Sequence, residues 1–143
     1  MNGRIFEYMI CETLAWKDLV PFYYQAKFSL IPNCEFDIVL YHERHPIILS
    51  VKTSLRERYK QADLEGLALK QVYRSAKQYL ITLSETEAQN TQKKIESGDI
   101  SGIEKVIIAT NPEYDDLLDT LKKQYNFQEV KTIKPMDGKL YIP

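Results

Sequence analysis

Two apolar runs separated by a short polar break set the main limit on what this chain can fold into. The first is Cys34-Glu35-Phe36-Asp37-Ile38-Val39-Leu40-Tyr41. After His42 to His45 comes the second, Pro46-Ile47-Ile48-Leu49-Ser50-Val51-Lys52. β-Branched and aromatic residues fit a pleated, half-buried surface, so the pair predicts an antiparallel hairpin. Each arm carries polar groups that a buried strand does not need for packing: Asp37 on the first, Ser50 and Lys52 on the second.

The flanking sequence predicts helices and further strands. From about Arg4 to Val20, the residues Ile5, Met9, Leu14 and Trp16 recur at broadly helical intervals, and Pro21 stops the pattern. After Lys52, Thr53 or Ser54 can cap a helix with Glu57 in its first turn. Leu55, Tyr59, Ala62, Leu69 and Tyr73 then keep one face apolar as far as about Ala76. Gln78 to Leu83 reads as a strand, Glu85 to Glu96 as a polar helix and Lys105 to Thr110 as a buried strand. Pro112 sits at the favoured first position of a helix over Glu113 to Gln124. The tail from Phe127 to Ile142 reads as a hairpin around Asp137-Gly138, a tight-turn pair. This order belongs to an α/β sandwich of three layers, α/β/α, around a central mixed sheet.

A chain of 143 residues, 44% of them hydrophobic, suits one domain with one core. Its formal net charge of -1 offers no global attraction for nucleic acid or membranes, so any such binding must be local. Cys11 and Cys34 lack the spacing of a zinc site and fit buried, reduced thiols in a cytoplasmic protein. No apolar run approaches the roughly 18 residues that a membrane span needs, and the first residues lack a signal-peptide pattern.

Strand alternation turns Asp37 away from the face that Phe36 and Ile38 bury, where a bare carboxylate would be costly. Ser50 and Lys52, two apart, share a face, which Asp37 can join. On the following helix Arg58, Gln61 and Glu65 form one polar stripe at i, i+3 and i+7 that can look back over the strand ends. Hydrolysis of a phosphodiester needs carboxylates that hold hard divalent cations, together with a cation near the attacking water and the developing charge. Asp37, Lys52 and Glu65 supply those types.

Asp37, then Ser50-Val51-Lys52, then Glu65 resembles the PD-(D/E)XK pattern of restriction-endonuclease-like nucleases, in the variant whose second acid has moved to the next helix. Ser50 stands where the usual pattern has Asp or Glu, twelve residues separate Lys52 from Glu65, and Phe36 replaces the proline that gives the motif its name. The likeness covers about Gly3 to Leu83. It implies a restriction-endonuclease-like sandwich and an endonuclease that cuts DNA with magnesium, or manganese in its place. Type II restriction enzymes acting as homodimers are the nearest analogy. Asp37 and Glu65 would be metal ligands, Lys52 the group that orients water and stabilises charge, and Glu7 the helical acid that many members place beside the metal.

Between Lys52 and Lys77 basic residues outnumber acidic ones, and Arg56, Arg58, Lys60 and Gln61 lie nearest this centre as candidates for DNA contact. His42 and His45 read as an exposed turn. Tyr23, Tyr24, Tyr59 and Tyr73 read as core or interface aromatics. The rival expectation is a binding module of the same fold in which Ser50 marks a weakened site.

Overall fold

The expected hairpin forms the middle of the sheet. Strands β2 (Phe36–Leu40) and β3 (Ile47–Lys52) pair antiparallel, with Ile38 opposite Leu49 and Leu40 opposite Ile47. The computed structural model describes residues 2–31, 33–56, 58–127 and 136–141. Around the hairpin it places α1 (Gly3–Trp16), β1 (Phe22–Phe28), α2 (Arg58–Val72), β4 (Lys77–Thr82), α3 (Glu85–Glu96), β5 (Lys105–Ile108), α4 (Pro112–Gln124) and β6 (Met136–Tyr141). The sheet order is β5-β4-β3-β2-β1-β6. β3, β4 and β5 run parallel, and β3, β2, β1 and β6 pair antiparallel, so the sheet is mixed.

The two faces of the sheet take different helices. Ile38, Leu40, Ile47, Leu49, Val51, Ile81 and Ile107 pack under α1 and α4 through Phe6, Ile10, Leu14, Leu117, Leu118 and Leu121. Tyr23, Val39, Ile48 and Met136 pack on the other face against Leu69 of α2, and Leu80 and Val106 meet Ala62 of α2 and Ala88 of α3. The result is a three-layer α/β/α sandwich with a central mixed sheet. Each parallel link crosses over through a helix, as such connections require. Among the described residues, no helix is long and apolar enough to cross a membrane.

Several boundaries and facings depart from the sequence expectations. α1 ends at Trp16, four residues before Val20, because Asp18 takes φ 57° and the Leu19 N–H turns back to the Leu14 carbonyl at 2.9 Å. Its buried face is Phe6, Ile10, Cys11 and Leu14, while Ile5, Met9 and Trp16 point outward. Phe36 does not share a face with Ile38. It turns to the α2 side and meets the Phe28 ring edge-on, 5.5 Å between centroids. α2 starts at Arg58, later than a Thr53 or Ser54 cap would give, and ends at Val72. Glu57 lies outside the described residues.

β1 and β6 carry the largest differences. β1 was not anticipated, because its alternation is broken: Gln25 has φ 49°, and the pairing with β6 shifts register between Tyr24 and Lys27. Asp137-Gly138 is not a turn but lies inside β6, with Asp137 opposite Lys27. A Cβ on Gly138 would come within 2.7 Å of the Ala26 side chain and 2.9 Å of its Cα. Glycine is needed there for close strand approach. The other arm of the expected tail hairpin, residues 128–135, lies outside the described residues.

α2 docks through small residues. A Cβ on Gly66 would sit 1.9 Å from the Gly102 carbonyl oxygen. Buried Gln78 donates from Nε2 to the carbonyls of Ala62 at 2.7 Å and Gly102 at 3.0 Å. The Asp63 carboxylate accepts the N–H groups of Ser101 at 3.1 Å and Gly102 at 2.7 Å. These contacts fix the depth and rotation of the helix that carries Glu65.

Candidate active site

The antiparallel ladder between β2 and β3 gives way to a side chain at its open end. Past the Ile38–Leu49 pair, Asp37 Oδ2 accepts the Val51 N–H at 2.8 Å and lies 3.4 Å from Lys52 Nζ. Both side chains are mostly withdrawn from solvent, Asp37 at 18% exposure and Lys52 at 20%. At that depth an ion pair is screened less than a surface pair. Ser50 is buried two residues before Lys52 and so points to the same, α2-facing side.

Two further carboxyls approach this pair from opposite layers. Glu7, on α1, is hydrogen-bonded to Asp37, and its carboxyl is pushed up to about 7. Burial is the largest cause, followed by the hydrogen bond and repulsion from Asp37, while Lys52 and Arg4 pull the other way. Glu65, partly buried on α2, is raised chiefly by burial and also by Asp37, while Lys52 lowers it. Lys52 therefore stands within electrostatic reach of three carboxyls.

The loop between β3 and α2 is tied down by Glu87 of α3. Its carboxylate accepts the Leu55 N–H, the Arg56 N–H at 3.2 Å and the Ser54 hydroxyl at 3.3 Å. Ser54 is thus committed to Glu87 and does not cap the helix. The Leu55 carbonyl instead receives the N–H groups of Arg58 at 2.6 Å and Tyr59 at 3.2 Å. Glu87 went unnoticed in the sequence because nothing local distinguishes it from Glu85 or Glu96 on the same polar helix.

The structure therefore gathers Asp37, Lys52, Glu7 and Glu65 at one end of the sheet, with Ser50 beneath. Arg56, Arg58, Lys60 and Gln61 lie exposed around the start of α2. Burial first, and then the nearby Glu7 charge, push the Cys11 thiol up to about 12. Cys34 is only partly buried, in contrast to the expectation, and feels the Glu65 charge. The His42 and His45 rings lie tilted at 33° with centroids 5.1 Å apart at the opposite end of the hairpin, with His42 Nδ1 accepting the Arg44 and His45 N–H groups.

Glu7 in hydrogen-bond contact with Asp37, and Glu65 within electrostatic reach, are hard oxygen donors whose mutual repulsion a divalent cation would relieve. As the side chains stand, no group of three or more His, Cys, Asp or Glu among the described residues converges closely enough to hold a metal. The donor chemistry fits a hard cation, and Glu65 would have to close on the hydrogen-bonded Asp37 and Glu7 to complete its shell. Comparisons with protein-family models, curated proteins and solved structures give no significant match to this chain.

Proposed function

We propose that this chain is a metal-dependent DNA endonuclease of the restriction-endonuclease-like kind. The observation that carries the reading is the Asp37–Lys52 pair, 3.4 Å apart and largely buried at the sheet's end, with Glu7 hydrogen-bonded to Asp37 from α1 and Glu65 within electrostatic reach from α2. Buried ion pairs are poor devices for stability, and partly buried carboxyls with raised affinity for protons gather at reactive sites.

Asp37 and Glu65 would hold the cation, magnesium with manganese able to replace it, and Glu7 would stand beside them. When bound, the cation would supply Lewis-acid polarisation and lower the pKa of an attacking water. The chain's own residues do the rest. Lys52 places a positive charge where phosphate oxygens gain negative charge as the water oxygen bonds to phosphorus and the bond to the leaving sugar oxygen breaks. Glu87 fixes the loop between Lys52 and α2, and so acts as a positioning residue. Arg56, Arg58, Lys60 and Gln61 offer a phosphate-binding rim. One such centre cuts one strand, so cutting a duplex calls for two copies.

The test is cleavage of supercoiled and linear DNA with magnesium or manganese by the native chain and by Asp37→Ala, Lys52→Ala and Glu65→Ala. Loss of cutting in each folded variant supports the reading. A folded native chain that binds DNA but never cuts it moves the assignment to a binding module, which the buried Ser50 at the usual acid position and the unconverged carboxyls favour.

A further inference from the structure

We infer that the outer face of α1, with the groove between α1 and α4, pairs with the same face of a second copy of this chain. Nothing in this depends on the nuclease chemistry, which asks only that two copies meet. Three of the four apolar residues that mark α1 in the sequence, Ile5, Met9 and Trp16, are outside, and Tyr8 joins them. Ile5 is 54% exposed, Tyr8 46%, Met9 47% and Trp16 90%. At i, i+3, i+4 and i+11 they line one side of the helix.

Beside that stripe lies a groove of about 460 Å³, floored by Phe6, Met9, Ile10, Leu83, Ala109 and Leu118. Trp16 stands on its rim. A projecting indole next to an apolar groove on the same surface is the arrangement that a two-fold axis makes self-complementary: each Trp16 enters the other copy's groove, residue i meeting j and j meeting i.

Charge and area point to the same partner. On α4, Asp119 pairs with Lys17 at 3.1 Å and Lys122 with Asp18 at 3.8 Å within the chain, while Asp115 and Asp116 in the first half and Lys123 in the second lie on the solvent face. A two-fold axis perpendicular to α4 sets its copies antiparallel, so the acidic half of each faces the basic half of the other. Large aromatics bury about 150–250 Å² each. Trp16 and half of Tyr8, with Ile5 and Met9, therefore supply much of the roughly 800 Å² per partner that a stable interface needs. The groove opens just beyond the carboxyl ends of β4 and β5, and Lys52 ends the neighbouring parallel strand β3, so pairing here holds both candidate sites at the same end of the assembly.

Trp16 is the chain's one tryptophan, which makes it a private reporter. Sedimentation and intrinsic fluorescence of the full chain, measured across a wide concentration range without DNA, test the inference. A doubling of mass should coincide with a blue shift of the emission and reduced quenching by acrylamide. Met9→Lys should weaken the dimer by about tenfold or more, an effect of at least ~1.4 kcal/mol, with an unchanged circular dichroism spectrum. Three results overturn it: a single-chain mass at the highest concentration, a dimer whose tryptophan stays as quenchable as in the dilute protein, or an emission shift that appears only on adding DNA. None of these readouts involves cleavage, so a failed dimer and a failed nuclease assignment are told apart.

Discussion

The Glu87 carboxylate on α3 accepts the backbone N–H of Leu55, thirty-two residues earlier in the chain, and so closes the turn between β3 and α2. That bond, followed by those from Arg56 and Ser54, holds the Glu87 carboxyl below the usual carboxylate range. A carboxyl depressed in the folded state contributes stability above its unfolded-state pKa and loses it as pH falls through the folded value. Glu87→Gln should therefore cost about 1 kcal/mol at neutral pH, a charge-assisted bond discounted for solvent. That gap should close in acid, below the ordinary Glu value of about 4.3. Urea unfolding of both proteins over a pH series checks this, and a gap that does not change with pH contradicts it.

Glu7 has the opposite sign. Its carboxyl, raised to about 7 by burial first and then by Asp37, binds its proton more tightly in the folded chain. Stability in the metal-free protein should fall as pH rises from the unfolded Glu value through this point, then level off. The carboxyl carbon resonance of Glu7 should titrate there. In Asp37→Asn it should move down toward the ordinary Glu value, stopping short by the share that burial supplies. A midpoint indifferent to Asp37→Asn would show that the two carboxyls are not coupled.

Gly66→Ala should destabilise the fold by about 1–3 kcal/mol or more, the usual cost of overpacking, because its Cβ would lie 1.9 Å from the Gly102 carbonyl oxygen. Gly3→Ala is the control. Its Cβ would meet nothing within 4 Å, and alanine favours the helix by up to about 1 kcal/mol. Denaturant midpoints should separate the two in opposite directions.

Alanine at Arg56, Arg58 or Lys60 should weaken DNA binding evenly across sequences. Each lost phosphate contact should reduce the magnitude of the slope of log affinity against log salt by about 1. Binding isotherms at several salt concentrations measure this. A variant whose affinity drops with the slope intact has lost something other than a phosphate contact.

Much of the fold was legible because its signals are local. The β2–β3 hairpin announces itself by residue type, and α4 by Pro112 at its first position. Alternation set Ser50 and Lys52 on the α2 side, and the polar stripe on α2 pointed to Glu65, but the alternation used for Asp37 breaks at Phe36, which faces α2 together with Val39. What failed depends on partners distant in sequence. β1 was hidden by the irregularity at Gln25, which breaks period two, and Gly138 was mistaken for a turn because its true constraint is Ala26 on the neighbouring strand. The facing of α1 is hidden for a similar reason. Ile5, Met9 and Trp16 are as apolar as Phe6 and Ile10, and only the position of the sheet shows that Leu14 is buried with the second set and not the first. Glu87 reaches the loop after Lys52 through tertiary contact alone.

β3 is bonded antiparallel to β2 on one edge and parallel to β4 on the other. Asp37 arrives from the antiparallel flank, Glu65 from the helix that the parallel crossover demands, and Lys52 from the strand that both flanks share. Fraying either edge of β3 would scatter the constellation even while the remaining strands stayed zipped. These side chains stand together only where both edges of β3 are paired, so a chain with either edge open does not present them as one set.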